Sequence, residues 1–278
     1  MPNTLTGAQA AAAIYAQVRE HAALLDAPPC LAAVSVGAQP DDLAYLRSIA
    51  QAAEGCGVAV RPVPLPADCA PETLTDTLRA LSADGAVHGV LLLRPLPAAL
   101  RAQEILDTLD ARKDVDGMTT RSLGALVTGA AGFAPCTAEA CMELLRAHGI
   151  DPAGRRVTVV GRSLVIGRPA VLLLTRADAT VTLCHRKTPD LAARCRDADI
   201  LLAAAGAPGL ITPDFVRPGQ IVLDAGATAL PDGTLRGDVA PDAAAIAVCT
   251  PVPGGIGSVT TALLLRHTVQ AAENLRHF

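Results

Sequence analysis

Val157-Thr-Val-Val-Gly161-Arg162-Ser163-Leu-Val-Ile166-Gly167-Arg168-Pro169 is the stretch that decides the fold of this 278-residue chain. Four β-forming residues ending at a glycine predict a buried strand that runs into a tight turn. Gly161 supplies torsions that other residues resist, and Gly167 lets the following helix pack closely. Pro169 suits the first turn of that helix, where a missing N–H costs nothing. Such a junction aims free N–H groups and a helix dipole at one spot, which makes an anion site. Neither G-x-G-x-x-G nor G-K-[ST] is present, so a P-loop is excluded, and an ordinary strand–turn–helix junction carries the same pattern.

The next strand, Ala179 to Cys184, separates these possibilities. A dinucleotide fold that takes NAD places an acidic residue roughly 20 positions after the glycine turn to hold the ribose 2′-OH. Here His185, Arg186 and Lys187 stand at that strand end, and Arg162 and Ser163 lie in the turn itself. Basic groups there suit a 2′-phosphate, which favours NADP over NAD. A solvated basic strand end is the alternative.

Composition narrows the class. Hydrophobic residues make up 51% of the chain, ample for one large or two modest domains. The net charge of −4 argues against a nucleic-acid surface. The eight cysteines are scattered, without C-x-x-C pairs or a metal-like cluster with histidine, and read as small buried groups in a reducing compartment. No apolar run approaches the ~20 residues of a membrane span, and no basic-then-apolar leader is present. A soluble, cytoplasmic protein without metal or membrane partner is expected.

Along the chain, helix and strand patterns alternate. Helices are expected over 7–25, 43–56, 71–83, 100–109, 137–148 and 260–274. Strands are expected over 31–36, 58–65, 87–93, 157–160, 179–184, 200–204, 221–224 and 245–249, with a loop at 37–42. The wholly apolar strand near Val87–Leu93 belongs in a parallel sheet covered on both faces. The fold class is therefore α/β, with an N-terminal αβα domain on a parallel sheet and a C-terminal Rossmann-like domain that binds NADP at the C-terminal ends of its strands.

Five motifs, the glycine turn among them, stand in sequence: Lys113-Asp-Val-Asp-Gly117, Pro135-Cys-Thr137, Gly161-Arg-Ser-x-x-x-Gly-Arg-Pro169, Gly237-Asp-Val239 and Thr250-Pro-Val-Pro-Gly-Gly255. In this order they resemble the methylenetetrahydrofolate dehydrogenase/cyclohydrolase family nearly end to end, and Tyr45 matches the tyrosine of its Tyr-x-x-x-Lys helix. The resemblance implies a folate substrate, NADP as hydride acceptor, no metal, and a homodimer. It places folate and catalysis on 1–143 with the terminal helix 262–278, and NADP on 144–261. It implies cofactor contacts from Gly161, Arg162, Ser163, Ile166, Gly167, His185, Arg186, Lys187, Thr188, Ala205 and Gly206. Tyr45 would stack on the folate ring, Asp116 would hold the pterin edge, and Pro253, Gly254, Gly255 and Ser258 would complete the substrate site. Core packing is the alternative for Tyr45, and a loop-capping role the alternative for Asp116.

The chain departs from the family pattern where protons should move. The family lysine is replaced by Ile49, and the glutamine that supports it by Leu93. Neither aliphatic side chain can exchange a proton, and losing both avoids a glutamine left unpaired beside Ile49. Arg47 and Arg94 are expected to point elsewhere, Arg94 because strand alternation sets it opposite Leu93. Asp41, Asp42, Ala138, Gly226-Ala227-Thr228 and Ser258 are further departures assigned to the pocket. The expected activity is an NADP-dependent methylenetetrahydrofolate dehydrogenase with weak or absent cyclohydrolase. A family oxidoreductase with another substrate and a non-catalytic NADP-binding paralogue are the rivals.

Overall fold

The structure is a computed structural model and describes residues 4–230 and 232–275. The chain divides into two compact units. One comprises Ala13–Cys136 with the chain from Thr261 onward, and the other Thr137–Thr260 with the residues before Ala13.

Up to Thr128 the elements are α1 (Ala8–Ala23), β1 (Cys30–Val36), α2 (Pro40–Glu54), β2 (Ala59–Leu65), α3 (Pro71–Ala83), β3 (Gly89–Leu92), α4 (Gln103–Leu106) and α5 (Thr120–Thr128). The three strands form a parallel sheet in the order β2-β1-β3. Its central strand is buried from Leu31 to Val36, as the apolar run requires. Pro62 and Pro64 fall on β2, an edge strand where a missing N–H is tolerated.

The expected loop at 37–42 is shorter than anticipated. Helix α2 begins at Pro40, and the Asp42 carboxylate accepts the Gln39 N–H at 2.9 Å in a capping box. Asp41 and Asp42 are therefore first-turn acids that complement the helix dipole. Helix α5, not anticipated, starts where the Thr119 hydroxyl accepts the Ser122 N–H. The expected helix over 100–109 reduces to a 3₁₀ turn at Ala98–Leu100 and the short α4.

The remaining elements are α6 (Cys136–Ala147), β4 (Arg156–Val160), α7 (Gly167–Arg176), β5 (Thr180–Cys184), α8 (Leu191–Asp197), β6 (Ile200–Ala203), β7 (Ile221–Asp224), β8 (Thr228–Ala229), β9 (Leu235–Arg236), α9 (Pro241–Ile246), β10 (Val248–Cys249) and α10 (Ile256–Leu275). Five parallel strands run in the order β10-β7-β6-β4-β5, the doubly wound arrangement. The strand order reverses between β4 and β6, which fixes the crevice where a ligand binds such a sheet. Residues 241–246 form α9 rather than opening a strand at Ala245. Pro241 sits in its first turn and an alanine run follows, both of which favour helix.

Cys184, Cys195 and Cys249 lie in the hydrophobic core of this sheet with Val160, Leu201 and Ile211. The N-terminal segment pairs with it too, Leu5 N–H donating to the Cys249 carbonyl at 2.9 Å. Among the described residues no helix is long and apolar enough to cross a membrane, and no His/Cys/Asp/Glu group could hold a metal ion.

Candidate functional site

The loops after β4 and β6 flank the strand-order reversal, and they meet there. Gly161 has φ +121°, and a Cβ on it would lie 2.0 Å from the Ala204 carbonyl oxygen. A Cβ on Gly167 would lie 1.9 Å from the Gly161 carbonyl oxygen. Both glycines are thus required by close backbone approach. The Ser163 hydroxyl accepts the Ile166 N–H at 3.1 Å, so this residue shapes the entry to α7. Arg162 is exposed at the turn.

At the end of β5 the chain turns tightly. His185 N–H donates to the Thr188 hydroxyl at 2.9 Å, and Thr188 N–H donates to the His185 carbonyl at 2.8 Å. His185 Nδ1 accepts the Lys187 N–H at 3.2 Å. The turn leaves Arg186 and Lys187 exposed, with their cations available to an anion.

The sequence pattern alone assigns no task to Gly237-Asp-Val239, and the structure supplies one. The buried Asp238 carboxylate accepts the N–H groups of Ala205, Gly206 and Ala207 at 2.6, 3.0 and 2.7 Å. It therefore fixes the loop that carries Ala205 and Gly206. Asp224 accepts from Gly226, Asp238 and Val239 N–H at 2.9 Å each. Burial pushes the Asp224 carboxyl up, and those three N–H groups oppose the shift. Side chains on Gly226 or Gly237 would strike the carboxylates of Asp238 and Asp224, at 2.5 and 2.0 Å respectively. The Gly-Asp-Val signal was legible; its partners, 14 to 33 positions away, were not.

In the unit built on the three-stranded sheet, Lys113-Asp-Val-Asp-Gly117 is held almost residue by residue. Lys113 is buried, and its Nζ donates to the carbonyls of Leu81 and Asp84 at 3.2 and 2.7 Å. Asp114 accepts from Met118 N–H, Thr119 N–H and the Ser122 hydroxyl at 3.0, 2.7 and 2.6 Å. Gly117 has φ +65°, and a Cβ there would lie 2.6 Å from the Phe133 carbonyl oxygen. The loop-capping work that was the alternative for Asp116 thus belongs to Asp114.

Asp116 faces a different set of groups. Burial, and then the neighbouring Asp114 charge, push its carboxyl up to about 6. Arg94, a hydrogen bond with the Cys136 side chain, and His267 oppose that shift. Tyr45 keeps 39% of its surface open. Desolvation first, and the Asp116 charge second, hold its phenol above the ordinary tyrosine range, against a hydrogen bond with Thr261. The Asp116 charge thus acts on the Tyr45 phenol.

Ile49, one helical turn beyond Tyr45, is fully buried, and Leu93 is 7% exposed. β3 ends at Leu92, and Arg94 is exposed next to the buried Leu93, while its charge still acts on Asp116. Asp41 and Asp42 shape the start of α2, as described above.

Pro253, Gly254, Gly255 and Ser258 belong to the other unit. There the Ser258 hydroxyl donates to the Gly255 carbonyl at 2.8 Å in the first turn of α10. The Gly255 carbonyl oxygen and the Ser258 hydroxyl leave only 2.2 and 2.4 Å for a Cβ on Gly7.

Comparison with known proteins also finds two domains, with somewhat different bounds. Residues 5–116 match the catalytic domain of tetrahydrofolate dehydrogenase/cyclohydrolase, and 135–276 match its NAD(P)-binding domain. The chain is 46% identical to the bifunctional protein FolD of Chloroflexus aurantiacus over 92% of its own length and 90% of that protein's. It superposes with a TM-score of 0.93 on the bifunctional FolD methylenetetrahydrofolate dehydrogenase/cyclohydrolase of Campylobacter jejuni, at 37% identity, covering 98% of this chain and 99% of that one. With the Trypanosoma brucei enzyme complexed with NADP cofactor and inhibitor the score is 0.92 at 35% identity, covering 99% and 98%.

Proposed function

The chain belongs to the tetrahydrofolate dehydrogenase/cyclohydrolase family, and within it we propose an NADP-dependent methylenetetrahydrofolate dehydrogenase with little or no cyclohydrolase activity. The observation that carries this reading is the fully buried Ile49, one turn from Tyr45, where a proton-transferring lysine would stand.

Oxidation of a methylene carbon between two folate nitrogens needs no proton relay. A nitrogen lone pair displaces the hydride with its electron pair, leaving a methenyl cation, so the protein's task is to hold the carbon in place. NADP, when bound, supplies the hydride acceptor. The Gly161–Gly167 turn suits its pyrophosphate, and exposed Arg186 and Lys187 suit a 2′-phosphate. Asp116 accepts hydrogen bonds from the N–H edge of the pterin, and Tyr45 offers its open ring for stacking.

Hydrolysis of the methenyl cation differs in kind. The attacking water must lose a proton while a folate nitrogen regains one. Ile49 and Leu93 can do neither, and Tyr45, with its phenol held above the ordinary range, is a poor base. The same proposal includes a homodimer in the cytoplasm.

A second reading keeps the redox chemistry and changes the substrate. The observation favouring it is Arg94, whose charge reaches Asp116 in a pocket made apolar by Ile49 and Leu93. Mixing the protein with methylenetetrahydrofolate and NADP⁺ or NAD⁺ separates the two readings. Rapid NADPH formation, with a much slower NAD⁺ reaction, supports the first. NADP binding without any NADPH formation overturns it in favour of the second.

A further inference from the structure

Asp116 can recognise a ligand only if its backbone is fixed, because each neighbouring residue of the loop is occupied with its own bonds. The Val115 carbonyl belongs to the peptide unit that leads into Asp116, and two side chains from distant segments converge on it. His267 Nδ1 lies 2.8 Å from the Val115 oxygen, and Cys136 Sγ lies 3.2 Å from it. A carbonyl oxygen only accepts, so the imidazole carries its hydrogen on Nδ1 and the thiol donates as well. The oxygen's two lone pairs accommodate both.

The imidazole is itself held. It is 3% exposed, and the Phe133 ring packs on it with centroids 4.8 Å apart and planes tilted by 30°. Cys136 Sγ stands 3.5 Å from the same Nδ1, and its single S–H is shared between the Val115 oxygen and the Asp116 carboxylate. Gly117 closes the other flank of Asp116 by packing against the backbone at 133–135. His267 did not stand out in the sequence; its only signal is an imidazole beside Arg266 and Thr268 in Leu263-Leu-Leu-Arg-His-Thr-Val269.

We propose that His267 is a positioning residue for substrate recognition: its Nδ1–H, through the Val115 carbonyl, sets the angle at which Asp116 meets the pterin edge. This rests on the assignment of the Asp116 pocket to a folate. The bond it depends on is one N–H to one carbonyl, a donor that asparagine can reproduce in part and leucine cannot. If the carboxylate is displaced by a fraction of an ångström, NADP still binds elsewhere on the chain, but the pterin is held less well.

The test compares His267→Asn and His267→Leu with wild type in the full-length enzyme. Steady-state kinetics of NADPH formation give KM for methylenetetrahydrofolate and for NADP⁺ separately. Tetrahydrofolate binding, followed by titration calorimetry, gives a readout that does not need turnover. Leucine is expected to raise the folate KM and the tetrahydrofolate Kd by roughly tenfold or more, with the NADP⁺ KM unchanged, since small misplacements in a site cost this much. Asparagine is expected to recover most of the loss. Equal weakening of NADP and folate binding would show a merely structural role and overturn the proposal, as would wild-type folate affinity in the leucine variant. An asparagine variant no better than leucine would overturn the role of the N–H. A wild-type protein that binds tetrahydrofolate but makes no NADPH would count against the proposed activity and leave this test in force. One that does not bind tetrahydrofolate would overturn both.

Discussion

The Nζ of Lys113 lies 2.7 Å from the carbonyl oxygen of Asp84, where it closes the C-terminal end of α3. Lys113 and Lys187 are the only lysines in the chain, and Lys187 is at the end of β5 in the other unit. The lysine nearest to Tyr45 in sequence is thus committed to backbone carbonyls, and Ile49 is left with no proton-transferring substitute of its kind. Ile49→Lys with Leu93→Gln should therefore gain enzyme-dependent hydrolysis of methenyltetrahydrofolate. Ile49→Lys alone should destabilise the protein by about 3 kcal/mol, because it buries an unpaired ammonium. Urea denaturation and the loss of methenyl absorbance check the two halves.

Asp116 offers a pH test whose sign is fixed. Its carboxyl is raised to about 6, above the ~3.9 of an unfolded aspartate, so the folded state favours the protonated form. Its contribution to stability is full below the unfolded value and is lost as pH rises through about 6. Asp116→Asn should raise Tm at pH 7.5 by an amount equivalent to about 1–3 kcal/mol, with the gain fading toward pH 4. The same variant should lose more than about tenfold in kcat/KM for methylenetetrahydrofolate, because an amide no longer offers two acceptor oxygens. In wild type, kcat/KM should fall below about pH 6 as the carboxylate protonates.

Much of this is legible in the amino-acid sequence. The parallel sheets followed from apolar runs such as Val87–Leu93, and the Gly161 turn from four β-formers ahead of a glycine. What escaped was long-range. Pairing of Asp238 with the N–H groups of 205–207 spans over thirty residues, and pairing of His267 with Val115 spans 152. No local pattern encodes such bonds. Boundaries failed where one residue changed the balance: Pro40 began α2 early, and the helix opened by Pro241 shortened the strand expected over 245–249 to β10.

The basic turn after β5 should set cofactor choice. Arg186→Ala with Lys187→Ala should raise KM for NADP⁺ by about tenfold or more, through loss of two charge-assisted contacts to the 2′-phosphate. KM for NAD⁺, which lacks that phosphate, should change little. Both residues are exposed, so Tm should stay near wild type. Initial rates with the two cofactors decide the matter.

Asp238 is predicted to couple cofactor binding to stability. Asp238→Ala removes the acceptor of three backbone N–H groups, which water can partly replace because Ala205 and Gly206 are exposed. A loss of about 2–4 kcal/mol is expected, with weaker NADP binding as the loop is released. Asp238→Asn keeps one acceptor oxygen and should fall between. Urea titration and NADP calorimetry on the same samples provide the check.

The most direct test of the central claim follows the fate of the methenyl product. The purified protein is given methylenetetrahydrofolate and NADP⁺, with NADPH and methenyltetrahydrofolate recorded separately, and in a parallel sample preformed methenyltetrahydrofolate alone. NADPH should form while the methenyl compound accumulates in step with it, and the preformed compound should disappear no faster than in buffer. Enzyme-dependent hydrolysis keeping pace with NADPH formation would contradict the account, because Ile49 and Leu93 would then not have silenced the second reaction.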